Sequence, residues 1–188
     1  MISSITELKN KVDLIWKNID SSCKTCTDPD CVGYIWVLPD EEEALLNRGI
    51  PTVQINGKDG VIFIDSYERD NDGCLIVDKA KMQCPYLSED KKCTIRDIRP
   101  LTCHLYPLGL ETNSDGKIVW ALHTDCAHIR NLQHTKKIDE VINQIKNLLS
   151  QLDITLERKI FDTFAKSDFI AKFENGFNNY ITIQTSTL

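Results

Sequence analysis

Eight of the 188 residues are cysteines, and six of them fall in two groups. Cys23, Cys26 and Cys31 occupy SSCKTCTDPDC, a small, polar, turn-prone stretch. Cys23-x2-Cys26 is the smallest unit that grips one metal from a tight turn, because two intervening residues let both sulfurs face the same way. Zinc sites and iron–sulfur clusters both use it, and thioredoxin-type redox pairs share it. A redox pair sits at a helix N-terminus after a strand. This one precedes Asp28-Pro29-Asp30 and a third thiol, Cys31, so chelation is the favoured reading. Redox pairing and structural thiols are the alternatives.

The second group is Cys84-Pro85-Tyr86-Leu87, then Cys93, then Arg99-Pro100-Leu101-Thr102-Cys103. Its spacings are too long for a paired knuckle but suit separate loops converging on one centre. Pro85 brings no N–H and fixes the turn beside Cys84, a Cys-Pro pairing also found next to iron–sulfur ligands. Any single cysteine can be a small core hydrophobe. That reading weakens for three thiols in irregular chain with little core of its own. Four thiolates around zinc or a [4Fe–4S] core leave a charge of about −2. Arg96 and Arg99 stand ready to donate to the sulfurs, or else pair with Asp97 or Asp90 at the surface.

Cys23-Lys-Thr-Cys26…Cys31, Cys84-Pro-Tyr-Leu…Cys93-Thr-Ile-Arg and Arg99-Pro-Leu-Thr-Cys103-His-Leu-Tyr-Pro107 together resemble the YkgJ-type cysteine-cluster family. That family is described as zinc- or iron-chelating, with a pattern of CxxCxxCC, CPxL, C-x-I and RPxxCRxxP. The resemblance spans roughly residues 23 to 107 and implies metal-ligand roles for Cys23, Cys26, Cys31, Cys84, Cys93 and Cys103. A later cysteine in some members implies the same for Cys126. Two positions depart from the pattern: the adjacent Cys-Cys pair is absent, and His104 stands where arginine is usual. The second departure either adds an imidazole ligand or removes a charge. Flagellin lysine N-methylases carry a similar cluster, which makes an S-adenosylmethionine-dependent lysine methyltransferase the competing enzymatic expectation. No GxGxxG loop follows a strand to support it.

Compartment and partners follow from composition. The opening MISSITELKNKVDLIWKNID has no signal-peptide pattern, so a reducing cytoplasm, where disulfides are rare, is expected. With 22 basic and 28 acidic side chains the net charge is −6, which argues against nucleic acid or an anionic membrane as partner. A protein partner is left open, as is a structural-zinc interaction module.

The elements that must position these thiols read as α+β: a small antiparallel sheet with cysteine-bearing loops around a metal centre, an N-terminal helix and a helical C-terminal tail. Ile5, Leu8, Val12, Ile15, Trp16 and Ile19 recur at helical spacing behind a Ser4/Glu7 capping box. VGYIWVL reads as a strand, followed by a short helix with Asp40 as N-cap and Gly49 as stop. TVQI, VIFI and CLIV alternate with Asn-Gly and Asp-Gly turns, as antiparallel strands do. TIRDIRP suggests one helical turn from Thr94, and LGLET and KIVWAL a hairpin. Residues 135–152 form an amphipathic helix, a second runs over about 155–175 with a break near Ser167-Asp168, and YITIQT adds a terminal strand. Chemistry divides the chain into a cysteine-bearing part, 1–130, and a helical tail, 131–188. Cys74 follows Gly73 at a strand start and is expected to be a buried thiol. The acids Asp40–Glu43 suit the first turn of a helix. Among the histidines, His104 is the first candidate ligand and His128 the second.

Overall fold

The computed structural model describes residues 1–17, 35–55, 60–80, 84–90, 92–171 and 179–185. These residues form a mixed α+β fold of six helices and three small antiparallel sheets. The chain divides into two compact units. The first comprises Met1–Cys26, His104–Ala165 and Phe177–Leu188, and the second Thr27–Cys103 and Lys166–Gly176.

In the first unit, helix α1 (Ile5–Ile15) starts where the capping signal predicts, with Ser4 Oγ accepting the Glu7 N–H at 3.2 Å. It buries Leu8, Val12 and the following Trp16, a stripe at four-residue spacing. Strands β6 (Leu108–Thr112), β7 (Ile118–His123) and β8 (Tyr180–Thr185) form an antiparallel sheet with β7 central. The expected hairpin and terminal strand are thus both present. The hairpin turns on Asn113, whose Oδ1 accepts the N–H groups of Asp115 and Lys117, and on Gly116 at φ +72°. Its central strand buries Val119 through His123. Trp120 is wholly enclosed, packs edge-on against Phe161 and donates Nε1–H to Glu157 at 3.1 Å.

Two further helices of this unit are α4 (Ala127–His134), which periodicity did not announce, and α5 (Ile138–Leu149), which it did. Helix α6 (Ile154–Ala171) runs through Ser167-Asp168 without the expected break. Serine and aspartate cost a helix only a few tenths of a kcal/mol each, and no glycine or proline interrupts the segment.

In the second unit, β1 (Trp36–Val37), β2 (Thr52–Ile55) and β3 (Val61–Ile64) form a sheet in the order β1-β3-β2. Central β3, VIFI, is buried at every position, which explains its unbroken apolar run. Strands β4 (Tyr67–Arg69) and β5 (Leu75–Ala80) pair as a ribbon turning at Gly73, φ +81°. Strand β4, three residues long, is too short to show a period in the sequence. Helix α2 (Pro39–Asn47) begins one residue earlier than its expected cap: Leu38 is the N-cap and Pro39 the first helical residue, while Glu41 reaches back to accept the Leu38 N–H. It ends as expected at Gly49. The Gly49 N–H meets the Leu46 carbonyl and the Ile50 N–H meets that of Leu45, a Schellman closure. Ile50 and Leu45 also join Val37, Ile62 and Ile64 in the unit's core.

Thr94–Ile98 forms turns rather than the expected helical turn. The turn of helix falls beyond Pro100 instead, as α3 (Leu101–Leu105). Proline is disfavoured inside a helix yet suits its N-terminal end, so Pro100 works as a start rather than a stop.

Candidate metal centre

The five cysteines among the described residues, Cys74, Cys84, Cys93, Cys103 and Cys126, are thiols. Cys23, Cys26 and Cys31 lie outside the described residues. Two of the expected ligands are brought together in the second unit, on a short hairpin that begins at Cys84. The Cys84 carbonyl accepts the Leu87 N–H at 3.0 Å, with Pro85 setting the turn. Leu87 and Cys93 then form an isolated antiparallel bridge. Thr94 closes the far side, its N–H and hydroxyl both donating to the Tyr86 carbonyl at 2.9 and 3.0 Å. Ser88 and Lys92 exchange bonds across the tip, and Lys92 pairs with Asp90. Tyr86, Ile95 and Ile98 pack on the core of Val37, Leu45, Ile50, Ile62 and Ile64, which anchors the hairpin to the sheet.

The Cys84 sulfur experiences opposing influences. Burial, at 9% exposure, pushes its pKa up, and the nearby Cys93 thiol pushes the same way. Against this, the neighbouring backbone N–H groups, that of Tyr86 first and that of Leu87 less, favour its thiolate. Burial outweighs the amides, so the thiol is the favoured form.

Cys103 is half-buried on α3. The start of that helix is fixed by Glu41, whose Oε1 accepts the Leu101 N–H at 2.8 Å, and by the Thr102 hydroxyl, which donates to the Trp36 carbonyl at 2.6 Å. Glu41 was read from sequence only as a first-turn acid. Its longer reach, 60 residues along the chain, had no local signature. Asp97 pairs with Arg48 at 3.0 Å and Asp90 with Lys92, so these acids serve cations other than the two arginines first considered for them.

Cys74 corrects an expectation. It is exposed, because it belongs to the β4–β5 turn, where its N–H donates to Asp70 Oδ1. Cys126 belongs to the first unit, buried at the N-cap of α4. Among the described residues, no group of three or more His, Cys, Asp or Glu side chains is arranged to hold a metal ion.

All four histidines lie in the first unit. His104 is buried, with Nδ1 2.9 Å from Asp13 Oδ1. Asp13 carries no local mark of this contact, being an ordinary polar position of an amphipathic helix. His123 stacks on Tyr106, its Nε2 3.5 Å from Glu111 Oε1, and burial pushes its pKa down to about 4. His128 meets Trp16 edge-on, and burial lowers its pKa as well. No protein-family model, no curated protein and no solved structure matches the chain. No helix among the described residues is long and apolar enough to cross a membrane.

Proposed function

We propose that this protein is a cytoplasmic metal-binding protein whose centre is held by cysteine thiolates, with Cys84 and Cys93 as its preformed pair. The observation that supports this reading is the short hairpin that carries both Cys84 and Cys93, closed by the Leu87–Cys93 bridge and by the bonds from Thr94 to the Tyr86 carbonyl. The remaining sequence candidates are Cys23, Cys26, Cys31, Cys103 and Cys126, and Cys74 is a bystander. A surplus of thiols over the four that one centre needs suits an iron–sulfur cluster better than paired zinc knuckles, so we favour [4Fe–4S] over zinc. A cluster supplies one-electron redox capacity, and electron transfer is the role that follows from it.

Anaerobic purification with elemental analysis and a visible spectrum tests the reading. Iron and acid-labile sulfide with a brown chromophore are expected, reduced in Cys84→Ser and Cys93→Ser and unchanged in Cys74→Ser. A colourless protein with one zinc per chain replaces the cluster by structural zinc. A folded, metal-free protein overturns both.

A further inference from the structure

Cys84 and Cys93 stand nine residues apart, and the backbone between them closes the loop without help from the sulfurs. The Leu87 N–H donates to the Cys84 carbonyl at 3.0 Å, and the Ser88 N–H to that of Lys92 at 2.9 Å. Leu87 is the hub. It ends the turn that Cys84 begins and it bridges directly to Cys93. Both cysteine Cα atoms therefore lie within about 7 Å of the Leu87 Cα. The two thiols are near enough for Cys93 to act on the charge of Cys84. A bond between their sulfurs would close a loop that hydrogen bonds already close, so little of the usual entropy of ring formation opposes it.

The pair is unequal in access. Cys84 is buried, whereas Cys93 is half-buried and open to a small reagent. Access decides which thiol attacks an external disulfide first. In a cell kept reduced, such a bond is transient and responds to oxidation.

We propose that Cys84 and Cys93 are a reversible dithiol–disulfide pair, oxidised by a low-molecular-weight disulfide such as oxidised glutathione, with Cys93 attacking and Cys84 resolving. The Cys93 sulfur bonds to one sulfur of the small disulfide, whose S–S bond breaks and releases one thiol. The Cys84 sulfur then bonds to Cys93, and the second small thiol leaves. The protein pair loses two electrons, the small disulfide gains them, and the two protein protons end on the released thiols. As a control on metal binding this rests on the thiolate reading above, since sulfurs bonded to each other no longer ligate as thiolates.

Site-resolved mass spectrometry tests it on the full chain, equilibrated in glutathione buffers of rising disulfide fraction with and without a chelator. A Cys84–Cys93 cross-linked peptide should appear with the chelator present and vanish on adding dithiothreitol. Exposed Cys74 should form the glutathione adduct, which marks that the oxidant is active. Cys84→Ser should lose the cross-link and accumulate the adduct on Cys93, and Cys93→Ser should lose both. Cys84 and Cys93 still reduced where Cys74 is modified overturns the proposal, as does either one linked instead to another cysteine. An unresolved adduct on Cys93 in the wild type overturns the pairing, and an adduct on Cys84 in Cys93→Ser overturns the order of attack. The wild-type cross-link decides the pair whether or not either serine variant folds. A folded chain that takes up neither zinc nor iron yet forms the cross-link removes the metal reading alone. A metal-binding chain whose two thiols never link removes the redox pair alone.

Discussion

In the β6–β7–β8 sheet, strands of five and six residues pair along their length, and the central one is buried from Val119 to His123. Among the described residues between Cys84 and Arg99, an isolated β-bridge, Leu87 with Cys93, stands in place of paired strands. Apolar area holds the first region. Individual hydrogen bonds hold the second, those of Thr94, Ser88 and Leu87, with a few side chains resting on the core. The difference teaches how each region fails. A packed sheet yields to lost volume or a buried charge. A loop pinned at points yields to the loss of one partner, and it is the kind of chain that a bound metal stiffens most.

The largest expected effect is Trp120→Ala, which removes an enclosed indole and strands Glu157. It should cost about 3–5 kcal/mol in urea unfolding. A cost below about 1 kcal/mol would show that the sheet is not held by packing.

Acid comes next. His123 has an ordinary pKa of 6.5 and a folded value near 4, so the unfolded chain binds the extra proton between those limits. Its contribution to stability is therefore complete above pH 6.5 and is lost as pH falls toward 4, up to about 3 kcal/mol for a single proton. Urea midpoints measured across that window should fall, and His123→Asn should flatten the curve. A slope identical in the variant would remove His123 as the cause.

Glu41→Ala leaves the Leu38 and Leu101 N–H groups without their acceptor and should cost about 1–3 kcal/mol. It should also speed alkylation of Cys103, whose helical turn loses its tether. Unaltered Cys103 reactivity would mean that Thr102 alone fixes that turn. Arg48→Ala breaks an exposed pair with Asp97 and should change stability by no more than about 0.5 kcal/mol. A larger loss would place the hold on this segment in surface charge rather than in hydrogen bonds.

Legibility in the sequence follows the same division. Elements defined by local pattern were readable: the Ser4 cap, the Gly49 stop, the β6–β7 hairpin with its Asn113 and Gly116 turn, and the periodic helix α5. Misreadings came where the local signals were weak or admitted more than one outcome. Helix α6 continues through Ser167-Asp168, α2 starts from Leu38 because Glu41 reaches back to it, and Cys74 is claimed by a turn rather than a core. At the site, Cys84-Pro85 and Cys93 were legible because the turn is built from its own sequence. The Asp13–His104 pair was not, since its members stand 91 residues apart on a helix and a short turn, neither of which marks them.

The first unit is discontinuous along the chain, and this governs the order in which the molecule is made. Ile2, wholly buried, bridges to Leu152, and β8 near residue 180 completes the sheet that β6 and β7 begin. A ribosome adding roughly 5–20 residues per second must travel far past Cys103 before that unit closes. The core of the second unit, from β1 to β5, has already emerged by then, with Cys84 and Cys93 behind it. During synthesis the thiol hairpin is thus exposed before the β6–β7–β8 sheet exists, while the other half is still unfinished.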